Sequence, residues 1–171
     1  MTKTRLPDLD AMSESQFVAV IGPIFEHSPW IAQRTYPKRP FDSIGSLHER
    51  LVATVRVSDE AEKLGLIRAH PDLVGRMARE GGLTRESTVE QQAAGLTALS
   101  PDEVEQFDRY NAAYRERFGF PFVICARENR KDAILAAFPI RLKNTREAEI
   151  DTALGEIYKI ARLRLIDAVS E

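Results

Sequence analysis

Three side chains in this sequence have the type and the surroundings to do chemistry. His70 stands in Ala69-His70-Pro71-Asp72-Leu73. An imidazole can give or take a proton near neutral pH. Proline disfavours helical geometry in the residue before it, so a helix arriving from the N-terminal side must stop near His70. A histidine there either complements the helix C-terminal dipole or handles a proton for a ligand. Glu90 lies in Ser87-Thr88-Val89-Glu90-Gln91-Gln92. Ser87-x-x-Glu90 reads as a capping box in which both side chains serve the backbone. The alternative is a helix start whose N–H groups face an anionic or carbonyl-bearing ligand, with Gln91 adding an amide. Arg164 falls within the apolar stripe Ile150, Ala153, Leu154, Ile157, Ile160, Ala161, Leu165 and Ala168, whereas Arg162 falls with Tyr158 and Lys159 on the other side. A guanidinium on an apolar face is costly without an anion beside it. That anion is either an internal Asp or Glu or a substrate carboxylate held by two hydrogen bonds, unless the side chain snorkels past the stripe to water.

Other chemistries find no support in the pattern. His27, His48 and His70 share no metal-ligand spacing, so no metal site is expected. No GxGxxG, Walker loop or GxSxG elbow occurs. Cys125, the sole cysteine, sits in an apolar run that argues against a reactive thiolate and rules out an intrachain disulfide. What remains is acid–base and electrostatic catalysis.

The elements that must position these groups are helical. Residues 1–12 are polar, contain Pro7, and read as a loose arm. Ser13-x-x-Gln16 is a capping box that opens a helix bearing Phe17, Val20, Ile21, Ile24 and Phe25. Residues 36–42 hold two prolines and read as loop. Ser43 caps a helix with Ile44, Leu47, Leu51 and Val55 on one face, and Ser58 caps the next, which runs toward Ala69. Residues 72–86 contain three glycines and read as irregular, with a new helix from Ser87. Ser100-Pro101-Asp102-Glu103 combines a cap, an N1 proline and an N3 glutamate. Its helix carries Val104, Phe107, Asn111 and Tyr114 to a stop at Gly119. Residues 120–126 form one strand-like run, too short to build a sheet alone. A helix from about Arg130 is disturbed by Pro139, and Thr145 begins the longest helix. The pattern predicts a single-domain, all-α bundle of about eight helices with one short extended segment.

With 171 residues, the chain can bury a core as one domain. A net charge of −2 offers no global field for nucleic acid or an anionic membrane. No run approaches a membrane span, the N-terminus is not a secretory signal, and Ala168-Val169-Ser170-Glu171 is not a peroxisomal address. Cytoplasmic residence is the expectation.

Taken in order, Ala69-His70-Pro71-Asp72-Leu73, Ser87-Thr88-Val89-Glu90-Gln91, Phe118 through Ala126, Arg141-Leu142-Lys143-Asn144 and Leu163-Arg164-Leu165 resemble one family. Phe25-Glu26-His27-Ser28-Pro29-Trp30 is similar to its N-terminal signature. The family is 2-oxo-4-hydroxy-4-carboxy-5-ureidoimidazoline (OHCU) decarboxylase, of urate breakdown, and the resemblance runs from about residue 13 to the end. It implies a homodimeric all-α protein that uses no cofactor and converts OHCU to (S)-allantoin. It also implies catalytic roles for His70, Glu90 and Arg164. Substrate-binding roles are implied for Pro71, for Ser87, Thr88, Val89, Glu90 and Gln91, and for Phe122, Val123, Ile124, Cys125 and Ala126.

Overall fold

The computed structural model describes residues 3–171, apart from the side chain of Met77, so the first two residues of the expected arm lie outside it. It is nearly all helical, as the periodicity predicts. In chain order the α-helices are α1 (Leu6–Ala11), α2 (Glu14–Ile21), α3 (Trp30–Thr35), α4 (Ile44–Arg56), α5 (Glu60–Ala69), α6 (Arg76–Arg79), α7 (Arg85–Ala93), α8 (Pro101–Phe118), α9 (Lys131–Arg141) and α10 (Arg146–Ala168). A two-stranded parallel sheet pairs β1 (Thr4–Arg5) with β2 (Val169–Ser170). The chain packs as two compact units: one runs up to Ala69 and includes Tyr158–Glu171, the other is His70–Ile157.

In the first unit the caps expected at Ser13 and Ser43 form. Ser13 and Gln16 bond reciprocally at the start of α2, and Ser43 does the same with Ser46 at α4. These bonds satisfy N–H groups that a helix start otherwise leaves without partners. The next helix starts one residue later than the sequence suggests. Asp59 caps α5, its Oδ1 accepting from the Glu62 N–H at 2.8 Å, while the Ser58 hydroxyl turns back to the Val55 carbonyl. A carboxylate next to the helix start also complements its dipole, which favours Asp59 over Ser58.

Residues 4–12, expected as loose, are ordered. Leu6 and Leu9 of α1 are buried. Arg39 lies over the Tyr36 ring and donates from Nη1 to the Asp10 carbonyl at 2.6 Å and the Met12 carbonyl at 2.9 Å. The Asp10 carboxylate accepts the Phe41 N–H. The arm looked polar because only two of its residues face the core, too few to show a period.

In the second unit Ser100 and Glu103 cap α8 reciprocally, and Gly119, at φ 78°, ends it in the left-handed conformation that glycine adopts without strain. The buried face of α8 is Phe107, Asn111, Tyr114 and Phe118, an i, i+4, i+7, i+11 stripe. Phe122 stacks on Phe138 of α9, ring centroids 3.8 Å apart, and meets Tyr114 edge-on. Pro139 is accommodated inside α9 rather than ending it. Residues 121–125, expected as an extended run, belong to no helix or strand, with Cys125 in extended geometry. Among the described residues, no helix is long and apolar enough to cross a membrane.

An ordered α1 carries a testable cost. Leu9→Ala is expected to destabilise the protein by about 2–5 kcal/mol in chemical denaturation. Asp8→Ala, exposed on the same helix, should change stability by less than about 1 kcal/mol. A loose arm would leave both substitutions silent.

Candidate active site

His70 follows the last residue of α5 and is buried, with 6% of its surface exposed. The sequence left open a surface histidine; burial removes that reading. Beyond Pro71 the chain makes a tight turn over Asp72–Gly75, with the Gly75 N–H donating to the Asp72 carbonyl. A Cβ on Gly75 would stand 2.8 Å from the Asp72 Cβ, so a side chain there would clash. Val74 has φ 57°, a conformation that β-branched residues rarely adopt. Holding it there costs about 1–3 kcal/mol.

Helices α7 and α8 hold this turn. Gln91 Oε1 accepts the Val74 N–H at 3.0 Å, and Asn111 Nδ2 donates to the Leu73 carbonyl at 2.9 Å. Arg115 Nε donates to both Asp72 carboxylate oxygens, at 2.9 and 3.0 Å. Asn111 is buried, and its Oδ1 finds no hydrogen-bond partner among the described residues. Such an orphan acceptor costs about 1–3 kcal/mol.

Helix α7 starts earlier than the sequence pattern suggests, and the expected capping box does not form. Thr84 is the cap: its Oγ1 accepts the Ser87 N–H at 3.2 Å, and its carbonyl accepts the Thr88 hydroxyl. Thr84 stands three residues nearer the Gly81-Gly82 break and offers the same cap chemistry, so the helix begins as soon as it can. Ser87 and Glu90 therefore lie inside the helix. They share its buried face with Gln91, whereas Val89 points outward and is half exposed. Glu90 is released from capping duty.

α7 packs on the short 3₁₀ turn Ala126–Glu128. This brings Ser87, Glu90 and Gln91 together with the end of the extended segment. Burial, reinforced by the carboxylates of Glu128, Glu156 and Glu90, pushes the Cys125 thiol up to about 11. It is a neutral thiol at physiological pH, as its apolar sequence context suggests. Much of the segment's backbone is already engaged. The Val123 carbonyl accepts from Arg141, the Cys125 N–H donates to Glu156 Oε2 at 2.8 Å, and the Cys125 carbonyl accepts from Asn129. Among the described residues, no group of three or more His, Cys, Asp or Glu side chains could hold a metal ion.

In the other unit, Arg164 is 4% exposed and pairs with Glu26, Nη1 donating to Oε2 at 2.9 Å. The helical stripe called for an anion, and the Glu26 carboxylate stands beside the guanidinium. Nothing local in the sequence marks Glu26 as the partner, because it lies 138 residues from Arg164. Asn111 did leave a signal, as a polar residue on an apolar face.

The family profile of OHCU decarboxylase matches residues 10–166. The chain is 39% identical over 170 residues to 2-oxo-4-hydroxy-4-carboxy-5-ureidoimidazoline decarboxylase of Haloferax volcanii, covering 99% of each. It is 41% identical over 159 residues to the mouse (Mus musculus) protein of that name, covering 93% of this chain and 89% of the other. A crystal structure of (S)-allantoin synthase superposes with a TM-score of 0.79 at 29% identity, over 98% of this chain and 54% of that one.

The Glu26–Arg164 pair predicts an asymmetry between neighbouring arginines. Arg164→Met takes the guanidinium away from a buried carboxylate and is expected to cost about 3–5 kcal/mol in thermal or chemical melts. Arg162→Met, exposed one turn-half away, should stay within about 0.5 kcal/mol of the parent.

Proposed function

Because this chain belongs to the OHCU decarboxylase family, we propose that His70 and Glu90 carry out the proton transfers of that family's reaction. The reaction is the decarboxylation of 2-oxo-4-hydroxy-4-carboxy-5-ureidoimidazoline to (S)-allantoin in urate degradation. The observation that supports the assignment is a buried imidazole and a buried carboxylate on elements tied to each other. Gln91, the neighbour of Glu90 on α7, grips the turn that begins just after His70.

The chemistry asks for little else. The substrate carbon that carries the carboxylate also carries a hydroxyl and adjoins a C=N bond. As CO2 leaves, the electron pair of the broken C–C bond moves toward that C=N unit. The ring nitrogen of that unit takes up a proton, the hydroxyl then loses its proton to become the ring carbonyl, and the neighbouring carbon gains a proton on one face. The substrate is its own electron sink, so the proposal includes no cofactor. His70 moves the proton, and Glu90 orients the imidazole and stabilises its charged form. The Ser87–Gln91 face of α7, Pro71 and the Phe122–Ala126 segment hold the ureide. The N–H groups of Ser87 and Cys125 are already engaged, so substrate contacts on these stretches fall to other groups. To Arg164 we assign the orientation of the substrate carboxylate, the role implied by family resemblance, with Glu26 fixing the guanidinium. A homodimer in the cytoplasm completes the proposal.

The assay generates OHCU in situ from urate with urate oxidase and the hydrolase of its product. His70→Ala is expected to lose on the order of 10²–10⁴-fold in rate, while His27→Ala, on an exposed residue, retains activity. Near-normal turnover by His70→Ala would remove the proposal. Glu90→Gln is expected to lose most activity with a stability change below about 1 kcal/mol, since the cap belongs to Thr84. Retained activity with a lowered melting temperature would make Glu90 structural instead.

A further inference from the structure

The turn after His70 contains a peptide gripped at both ends. The Leu73 carbonyl and the Val74 N–H belong to one peptide group. Asn111 donates to its oxygen and Gln91 accepts from its nitrogen. This is the central peptide of the Asp72–Gly75 turn, and its orientation separates two turn types. With positive φ at the third residue the turn is of the type II kind, which favours glycine or asparagine there. Here the third residue is Val74, at φ 57°. Left to itself, a valine at that place prefers the flipped peptide and negative φ. The grip therefore works against the intrinsic preference of the residue it holds.

The side chain supplying one half of the grip is itself held at a cost. Asn111 is buried on the apolar stripe of α8, with Nδ2 committed to the Leu73 carbonyl and Oδ1 orphaned. Turning the amide over would set oxygen against oxygen. Arg115, one turn further along α8, fixes the Asp72 carboxylate at the first residue of the same turn.

We propose that Asn111 is a positioning residue for His70: by holding the Leu73–Val74 peptide in its unfavoured orientation, it sets the path by which the chain leaves the imidazole. This rests on the reading that His70 handles the reacting proton. Asn111 touches no reacting atom; its effect passes through the backbone.

The test pairs a loss with a selective rescue. Asn111→Leu keeps the approximate volume and removes the amide, and Asn111→Asp keeps the shape but has no N–H to donate. Each is expected to lower kcat about 10–100-fold with KM within about threefold, in protein that still melts cooperatively. Adding Val74→Gly to Asn111→Leu should restore kcat about tenfold or more, because glycine takes positive φ without strain. Adding Val74→Ala should not, because alanine trims the side chain but keeps the backbone penalty. A merely structural Asn111 predicts that glycine and alanine act alike, and that result would overturn the proposal. So would kcat within about twofold of the parent in Asn111→Leu. If His70→Ala loses activity while Asn111→Leu does not, only the positioning role falls. If His70→Ala keeps full activity, the reading beneath it falls as well.

Discussion

A carboxylate shut away from water needs hydrogen bonds and positive charge around it, or it forces the fold apart. Glu149 is such a carboxylate, with none of its surface exposed. Arg141 Nε donates to one oxygen at 2.9 Å, Asn144 Nδ2 donates to the other at 2.7 Å, and the Tyr114 hydroxyl donates to the first. Burial and the neighbouring carboxylate push the Tyr114 phenol well above its ordinary range, so it stays a donor. Arg141 then extends the cluster outward, donating to the Val123 carbonyl at 2.6 Å and lying over the Phe122 ring. Residues 121–125 have no sheet to hold them. A guanidinium anchored on a buried carboxylate, together with aromatic stacking, does that work instead. The ends of α8, α9 and α10 and the extended segment all meet this one satisfied network.

The first unit contains a buried ion pair of the same kind, Glu26 with Arg164. Glu26 and Arg164 lie 138 residues apart and Arg141 and Glu149 only eight, yet both pairs replace apolar packing with direction. An ion pair between buried groups contributes little net stability compared with well-packed apolar residues, but losing one partner is severe. Such pairs hold particular side chains in particular orientations. By contrast, exposed pairs such as Arg76–Glu80 lie in water, where screening and side-chain entropy leave little.

After His70 the chain is held by backbone geometry and by the Arg115–Asp72 ion pair. Pro71 ends the helical path, Gly75 permits the close return, and Gln91, Asn111 and Arg115 hold the turn between them. The helix that supplies Gln91 also carries Glu90, and its register is set at Thr84. A cap placed three residues away from the expected one changes what Glu90 does. At the predicted N3 position its carboxylate would bond its own helix start. Inside the helix it faces the buried side, near Cys125.

The amino-acid sequence by itself determined the helical class, several helix boundaries and the identity of His70 as the titratable group at a helix end. Those features are local: caps at Ser13, Ser43 and Ser100, the αL stop at Gly119, the proline after His70 and the apolar periodicity all act within a few residues. The order of short matching segments likewise identified the family, because spacing along a chain is preserved without reference to its folding. Tertiary structure alone decided which polar groups meet. Arg164 on its apolar stripe demanded an anion, but only the folded chain showed Glu26 138 residues away as the one beside it. Ser87 and Thr84 offered α7 rival caps of similar chemistry, and the choice between them placed Glu90 inside the helix rather than in its first turn. Leu6 and Leu9 buried an arm too short to display a period. Capping and turn chemistry are near-neighbour interactions that a sequence displays directly. Buried hydrogen bonds and ion pairs join groups whose distance along the chain carries no information about their distance in space.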